Sequence, residues 1–218
     1  MINEQVGLVM PEVIVKRTLE MGLAQFRANP ALLDQVFNTY KMPAFSKLYG
    51  QSYIDKIKGW VQNTKIPVVF GFNDNVDKVP SYSVHLSPER EDETRAAMND
   101  FYGEDDAGVV GVGVFKVSLD IGCHGDKSGD YAIWLYYMAN NILFQNKEFM
   151  ESHGLTLVTF GADAQKKEVK YASENIWSRF ISMQTTVVNS WYKQLATGEF
   201  DVSVSTYLEI GNETVIEI

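Results

Sequence analysis

The sequence predicts an α+β protein: a mainly antiparallel sheet with helices packed on one face. Three observations carry this. Apolar residues recur at helical spacing through the first 63 positions, strand-like runs with period-two alternation follow, and a single long helical run at about 130–153 interrupts them. A regular alternation of strand and helix is missing, so a doubly wound nucleotide-binding fold is not indicated. The 218 residues suit one domain, with 1–63 as a helical N-terminal segment and 64–218 as the sheet-and-helix body.

The helical segment opens at Pro11, whose missing N–H is tolerated in a first turn. Val13, Ile14, Leu19, Leu23 and Phe26 then form one stripe, and Asn29-Pro30 ends it. Leu32, Leu33, Val36, Phe37 and Tyr40 predict a second short helix. Beyond Pro43, Phe45, Leu48, Tyr49, Ile54, Ile57, Trp60 and Val61 predict a third. Each has one apolar side that needs a surface to lie on.

Strands supply that surface. IPVVFGF (66–72) is an apolar run of strand length. VPSYSVHL (79–86) alternates, with Tyr82, Val84 and Leu86 on one face and Ser81, Ser83 and His85 on the other. PEREDETRAAMNDF predicts a short exposed helix or a charged loop, and GEDDAG (103–108) an acidic loop. GVVGVGVFKVSLDI (108–121) has strand composition, with Val109, Phe115, Val117, Leu119 and Ile121 on one side. Gly111 and Gly113 suggest a bend or close backbone contact.

The helix at 130–153 carries Tyr131, Trp134, Leu135, Met138, Ile142 and Phe149 as a broad stripe and stops at Gly154. LTLVTFGA (155–162) and WSRFISMQTTVVNSWY (177–192) are strand-like, the second long enough to require a bend. In FDVSVSTYLEIGNETVIEI, residues Phe200, Val202, Val204, Thr206, Leu208 and Ile210 alternate with polar ones, and Gly211-Asn212 predicts a hairpin turn. No internal repeat, heptad seam or low-complexity tract is evident.

The formal net charge is -9, which argues against a sequence-independent nucleic-acid binder, because phosphate contacts need clustered Lys and Arg. No apolar run reaches membrane-spanning length. The N-terminus lacks a basic start followed by an apolar core, so no signal peptide is expected. One cysteine excludes an internal disulfide and an all-cysteine metal site.

The segment most suggestive of chemistry is GCHGDKSGD, from Gly122 to Asp130. A phosphate loop requires G-x-x-x-x-G-K-[ST], so that backbone N–H groups converge on phosphate and a lysine matches its charge. Here the order differs, and Asp126 and Asp130 stand where an anion would sit. Cys123 and His124 are neighbours and point to opposite faces of an extended chain, so they make no nucleophile–base pair. His85 and His153 show no metal-ligand spacing with them. Glu104, Asp105 and Asp106 lack the apolar surroundings that raise a catalytic carboxyl's pKa. A turn explains every residue of the loop, with Ser128 or Asp130 capping the helix that follows. The sequence therefore predicts no catalytic residue, no cofactor and no metal ligand.

Pattern says more than motif. MPEVIVKRTLEMGLAQFRANPALLDQVF and KLYGQSYIDKIKGWVQNTKIPVVFGF, followed by VPSYSVHL, GVVGVGVFKVSLDI, YAIWLYYMANNILF, LTLVTFGA and WSRFISMQTTVVNSWY, resemble the neck and tail-terminator virion proteins of contractile-tailed bacteriophages. The resemblance is one of element order across most of the chain. It implies a structural protein rather than an enzyme: a homohexameric ring closing the tail. Such a ring contacts the tail tube or sheath protein on one side and the head–tail connector on the other. DNA would pass through its lumen without specific binding, with no membrane involved, and the protein would be made in the host cytoplasm and reside in the virion. Rings remove exposed strand edges by pairing across subunits. Val202, Val204, Thr206, Tyr207, Leu208, Val215 and Ile216 are the expected subunit-interface residues. The alternatives are another tail or baseplate structural protein, or a small ligand- or nucleotide-binding domain using the loop from Gly122 to Asp130.

Overall fold

The computed structural model describes residues 8–37, 51–71, 79–86, 90–91, 101–105, 108–126, 129–163 and 176–193. The seven expected interface residues between Val202 and Ile216 lie outside this set, as do Tyr40, Phe45, Leu48, Tyr49, Asp106, Ser128 and the alternating C-terminal segment.

The architecture is α+β, as the sequence predicts. Five helices are described: α1 (Pro11–Ala28), α2 (Leu32–Phe37), α3 (Gln51–Asn63), α4 (Gly129–Gln145) and α5 (Lys147–Ser152). The strands are β1 (Val68–Phe70), β2 (Ser81–Leu86), β3 (Arg90–Glu91), β4 (Phe101–Asp105), β5 (Gly108–Asp126), β6 (Leu155–Asp163) and β7 (Ile176–Lys193). The sheet order is β1-β2-β5-β7-β6, with β3 and β4 also pairing with β5. The β1–β2 pair is parallel, whereas β2–β5, β4–β5 and β6–β7 are antiparallel.

The chain divides into two compact units. The smaller comprises 1–8, 91–114 and 188–218. Its described part is built on β4 and the start of β5, paired Phe101 to Val112 through Asp105 to Gly108. Most of the expected acidic loop at 103–108 is thus paired strand. Gly103, Glu104 and Asp105 are strand residues, because their backbone groups pair with Val110, Val109 and Gly108. Arg90 and Glu91, expected in a helix or loop, form a two-residue strand on β5.

The larger unit, 9–90 and 115–187, holds the main core. On α1 the buried row is Val15, Leu19, Gly22, Leu23 and Phe26, at the spacing of one helix face. Val13, expected in that stripe, is exposed. The outward side of α1 is charged, with Glu20 lying 3.9 Å from both Lys16 and Arg17. Helix α1 crosses α4 at Gly22, where an added Cβ would come within 2.5 Å of Ile142 Cγ1. Only glycine lets these helices approach so closely.

Helices α2 and α3 are tied to each other and to α1 by polar bonds. Lys58 Nζ on α3 lies 2.7 Å from Asp34 Oδ1 on α2. Arg27 Nη2 at the end of α1 donates to the Thr64 carbonyl at 3.1 Å. Ile54, Ile57 and Val61 turn the apolar side of α3 into the core. An aromatic cluster joins α3 to α4. Trp60 stacks on Tyr131 with ring centroids 5.0 Å apart, and Trp134 Nε1 donates to Tyr53 Oη at 2.8 Å.

The expected helix at 130–153 is two helices. Asn146 interrupts it, with its side-chain Nδ2 donating to the Ile142 carbonyl at 2.7 Å, in competition with the backbone ladder. Gly154 does end the second one, at φ +100, a conformation that favours glycine. The bend expected in the long strand β7 has a counterpart in its neighbour. The register of β6 shifts between Thr156 and Thr159, around Leu157 at φ 54.

Candidate functional site

The residues from Gly122 to Asp126 are not a loop. They continue β5, which pairs with β2 from Leu119–Leu86 to His124–Ser81. Helix α4 then starts at Gly129, with Asp130 in its first turn, where a carboxylate faces the positive end of the helix dipole. The two inner glycines have packing reasons. A Cβ on Gly125 would meet the Ala132 backbone nitrogen at 2.5 Å, so this position lets the strand end approach the helix start. Gly122 leaves space for the His124 imidazole, since a Cβ there would collide with Ser83 Oγ and sit 2.5 Å from His124 Nε2.

Period two separates Cys123 from His124, as expected for neighbours in an extended chain. Cys123 belongs to the core beside Tyr82, its register partner. Burial pushes its thiol pKa up, with the nearby Arg179 opposing in part, so the thiol stays protonated and unreactive. Burial and Cys123 together hold the Tyr82 phenol well above its ordinary pKa.

His124 points to the other face, into a set of polar groups that no local spacing announced. Its Nε2 is 2.7 Å from Ser83 Oγ on β2, and its Nδ1 is 2.7 Å from Ser178 Oγ on β7. One ring nitrogen donates and the other accepts, with the two hydroxyls taking the complementary roles. Phe180 sets its ring edge-on to the imidazole at 5.9 Å. Burial, and secondarily the charge of His85, lower the His124 pKa to about 4. The imidazole is therefore neutral near pH 7.

A serine hydroxyl 2.7 Å from a neutral imidazole has the spacing of a nucleophile and its base. Access decides against that use. Ser83 is 0% and His124 3% exposed, so no substrate carbonyl can reach the hydroxyl. The set instead links three adjacent strands, β2, β5 and β7, through one imidazole. Among the described residues no three His, Cys, Asp or Glu side chains gather to hold a metal ion.

The surface offers a different kind of site. Helix α4 is apolar around most of its circumference: Trp134, Leu135, Met138, Ile142 and Leu143 are buried. On its outer side Ile133, Tyr137 and Phe144 are 39%, 49% and 61% exposed. No charged side chain occurs between Asp130 and Lys147. A helix apolar all round is normally covered all round. The exposed row continues onto β6, where the Phe144 ring lies 4.8 Å from that of Phe160 and Leu157 is exposed. Among the described residues β6 is an end strand of the sheet, paired on one side by β7.

The sequence points to the C-terminal alternation for an interface. Trp134 is core, whereas Trp177 is 48% exposed. The row on α4 was missed because its residues merge into a run that is apolar throughout. The available signal was the lack of charge over positions 131–146. Compared with known proteins, the chain matches no family model and no curated protein. Among the described residues no helix is long and apolar enough to cross a membrane.

Proposed function

We propose that this chain is a structural virion subunit, a tail-terminator or neck protein that closes the end of a contractile phage tail as a homohexameric ring. The observation that carries the reading is the exposed apolar side of α4 next to β6, an end strand among the described residues. Apolar area of this kind on a folded subunit marks a contact with another protein. A strand edge beside it gives such a contact backbone hydrogen bonds as well. The order of elements resembles that of the tail-terminator group, which supplies the particular assembly. The acidic balance of -9 suits a lumen through which DNA slides without being held. In this reading the ring's neighbours are the tail tube or sheath and the head connector, and the protein resides in the virion after synthesis in the host cytoplasm.

Light scattering and negative-stain imaging of the purified protein mixed with tail tubes test the reading. Rings seated at tube ends are expected. A protein that neither forms rings nor joins tail tubes at high concentration sinks it.

A further inference from the structure

The outer row of α4 has a regularity of its own. Asp130, Ile133, Tyr137, Asn140, Phe144 and Lys147 follow one another at intervals of three and four, the spacing of a packing seam. The first five lie on α4 and Lys147 opens α5. Read backwards, the row complements itself: Asp130 matches Lys147, Ile133 matches Phe144, and Tyr137 matches Asn140. We infer that the occupant of this row is a second copy of the chain, with α4 packed antiparallel on α4 about a two-fold axis between Met138 and Ala139.

The inference rests on the reading of the chain as a self-assembling subunit, and adds the face and its symmetry. An antiparallel pair sets the Asp130 end of one helix beside the Lys147 end of its mate, at both ends of the contact. Lys147, whose Nζ lies 3.7 Å from Glu151 Oε1 in its own helix, keeps a half-exposed side chain for Asp130 of the mate, and the helix dipoles are opposed as well. Between the ends the surface is uncharged. Two copies of a chain carrying -9 each repel, so they meet most readily where neither presents charge. The centre of the row is polar but neutral. Asn140 Nδ2 is already engaged by the Tyr136 carbonyl at 3.0 Å, which leaves its amide oxygen to accept from the Tyr137 hydroxyl of the other copy. A single amide in such a seam fixes register.

Symmetry then separates this pair from the ring. A tail end is polar, with unlike neighbours above and below, and a two-fold pair is not. The α4 pair is accordingly the form of the free protein, and the same row is released when subunits join a tail.

Cysteine capture tests the geometry directly, since the native Cys123 is fully buried and does not compete. About the proposed axis, the two copies of residue 140 lie roughly 5 Å apart along the helices, and those of residue 133 roughly 16 Å apart. A short bis-maleimide should therefore join N140C chains efficiently and I133C chains poorly. In sedimentation of the unmodified protein a dimer is expected, and Phe144→Lys should weaken it by at least about tenfold. Phe144 is largely exposed, so the variant keeps its fold, which circular dichroism verifies. Equal capture at both positions, a dimer indifferent to Phe144→Lys, or a monomer at high concentration overturns the inference. Recruitment to tail tubes reads out separately. A pair that forms as described in a protein that never joins tubes refutes the tail-end reading and leaves the α4 contact standing.

Discussion

Where β2 meets the end of β5, both faces of the sheet are buried, by opposite chemistries. Toward the helices, Tyr82, Leu119, Ile121 and Cys123 contribute apolar surface, each 0% exposed. On the other side Ser81 and Ser83 are also 0% exposed, and His124 nearly so. Burial alone thus says little about how each face is held. The first is stabilised by area removed from water, which is non-directional and indifferent to pH. The second depends on satisfied hydrogen bonds, and a buried polar group left without its partner costs more than the bond itself contributes.

The largest effect separates the two by volume. Leu119→Ala removes a fully buried side chain from β5 beneath the helices. A cavity there should cost about 2–5 kcal/mol of unfolding free energy, read from urea denaturation. The loss should be the same at pH 8 and pH 5.5, because no titrating group is involved. A loss that grows with acid would show that the apolar face is not electrically silent.

Acid should act on the other face. The folded-state pKa of His124 is about 4, below its ordinary value of 6.5. Between these values the unfolded chain binds the proton and the folded one does not. The stability of the neutral imidazole is therefore fully present above pH 6.5 and is lost as pH falls through 4. The loss attributable to this residue amounts to at most about 3 kcal/mol. His85 adds to the effect, since its charge also opposes protonation of His124. His124→Gln keeps an amide that can bond to the serines and removes the titration. The two proteins should diverge between pH 7 and pH 4, the unmodified one losing more. Parallel stability curves would mean that the imidazole is not held neutral by its burial.

The sequence showed the apolar face more clearly than the polar one. Alternation in VPSYSVHL and GVVGVGVFKVSLDI places Tyr82, Val84, Val117, Leu119 and Ile121 together, because period two is a local property. The same rule put Cys123 and His124 on opposite sides. What alternation could not show is that the serine side is buried, or that His124 meets residues 41 and 54 positions away. Glycines misled in a related way. Gly122 and Gly125 look like loop residues, yet they are strand positions where a histidine ring and a helix start come too close for a Cβ. The outer row of α4 was hidden for the opposite reason. A helix apolar on every side shows no contrast from which a second stripe can be read.

The smallest effect tests a polar bond that ties the sheet to α4. Tyr82 Oη donates to the Leu135 carbonyl at 2.8 Å, tying β2 to α4 through a ring that is itself fully buried. Tyr82→Phe keeps the ring and deletes the hydroxyl. The carbonyl keeps its place in the helical ladder, so no buried acceptor is left without a donor. A cost of about 1 kcal/mol is expected from denaturant midpoints at pH 7, that of an ordinary hydrogen bond. Because burial holds the phenol well above its usual pKa, the cost should stay constant from pH 5 to pH 9. A cost near that of Leu119→Ala, or one that varies with pH in this range, would place Tyr82 with the serines and His124. The helix side would then also be held by hydrogen bonds rather than by area.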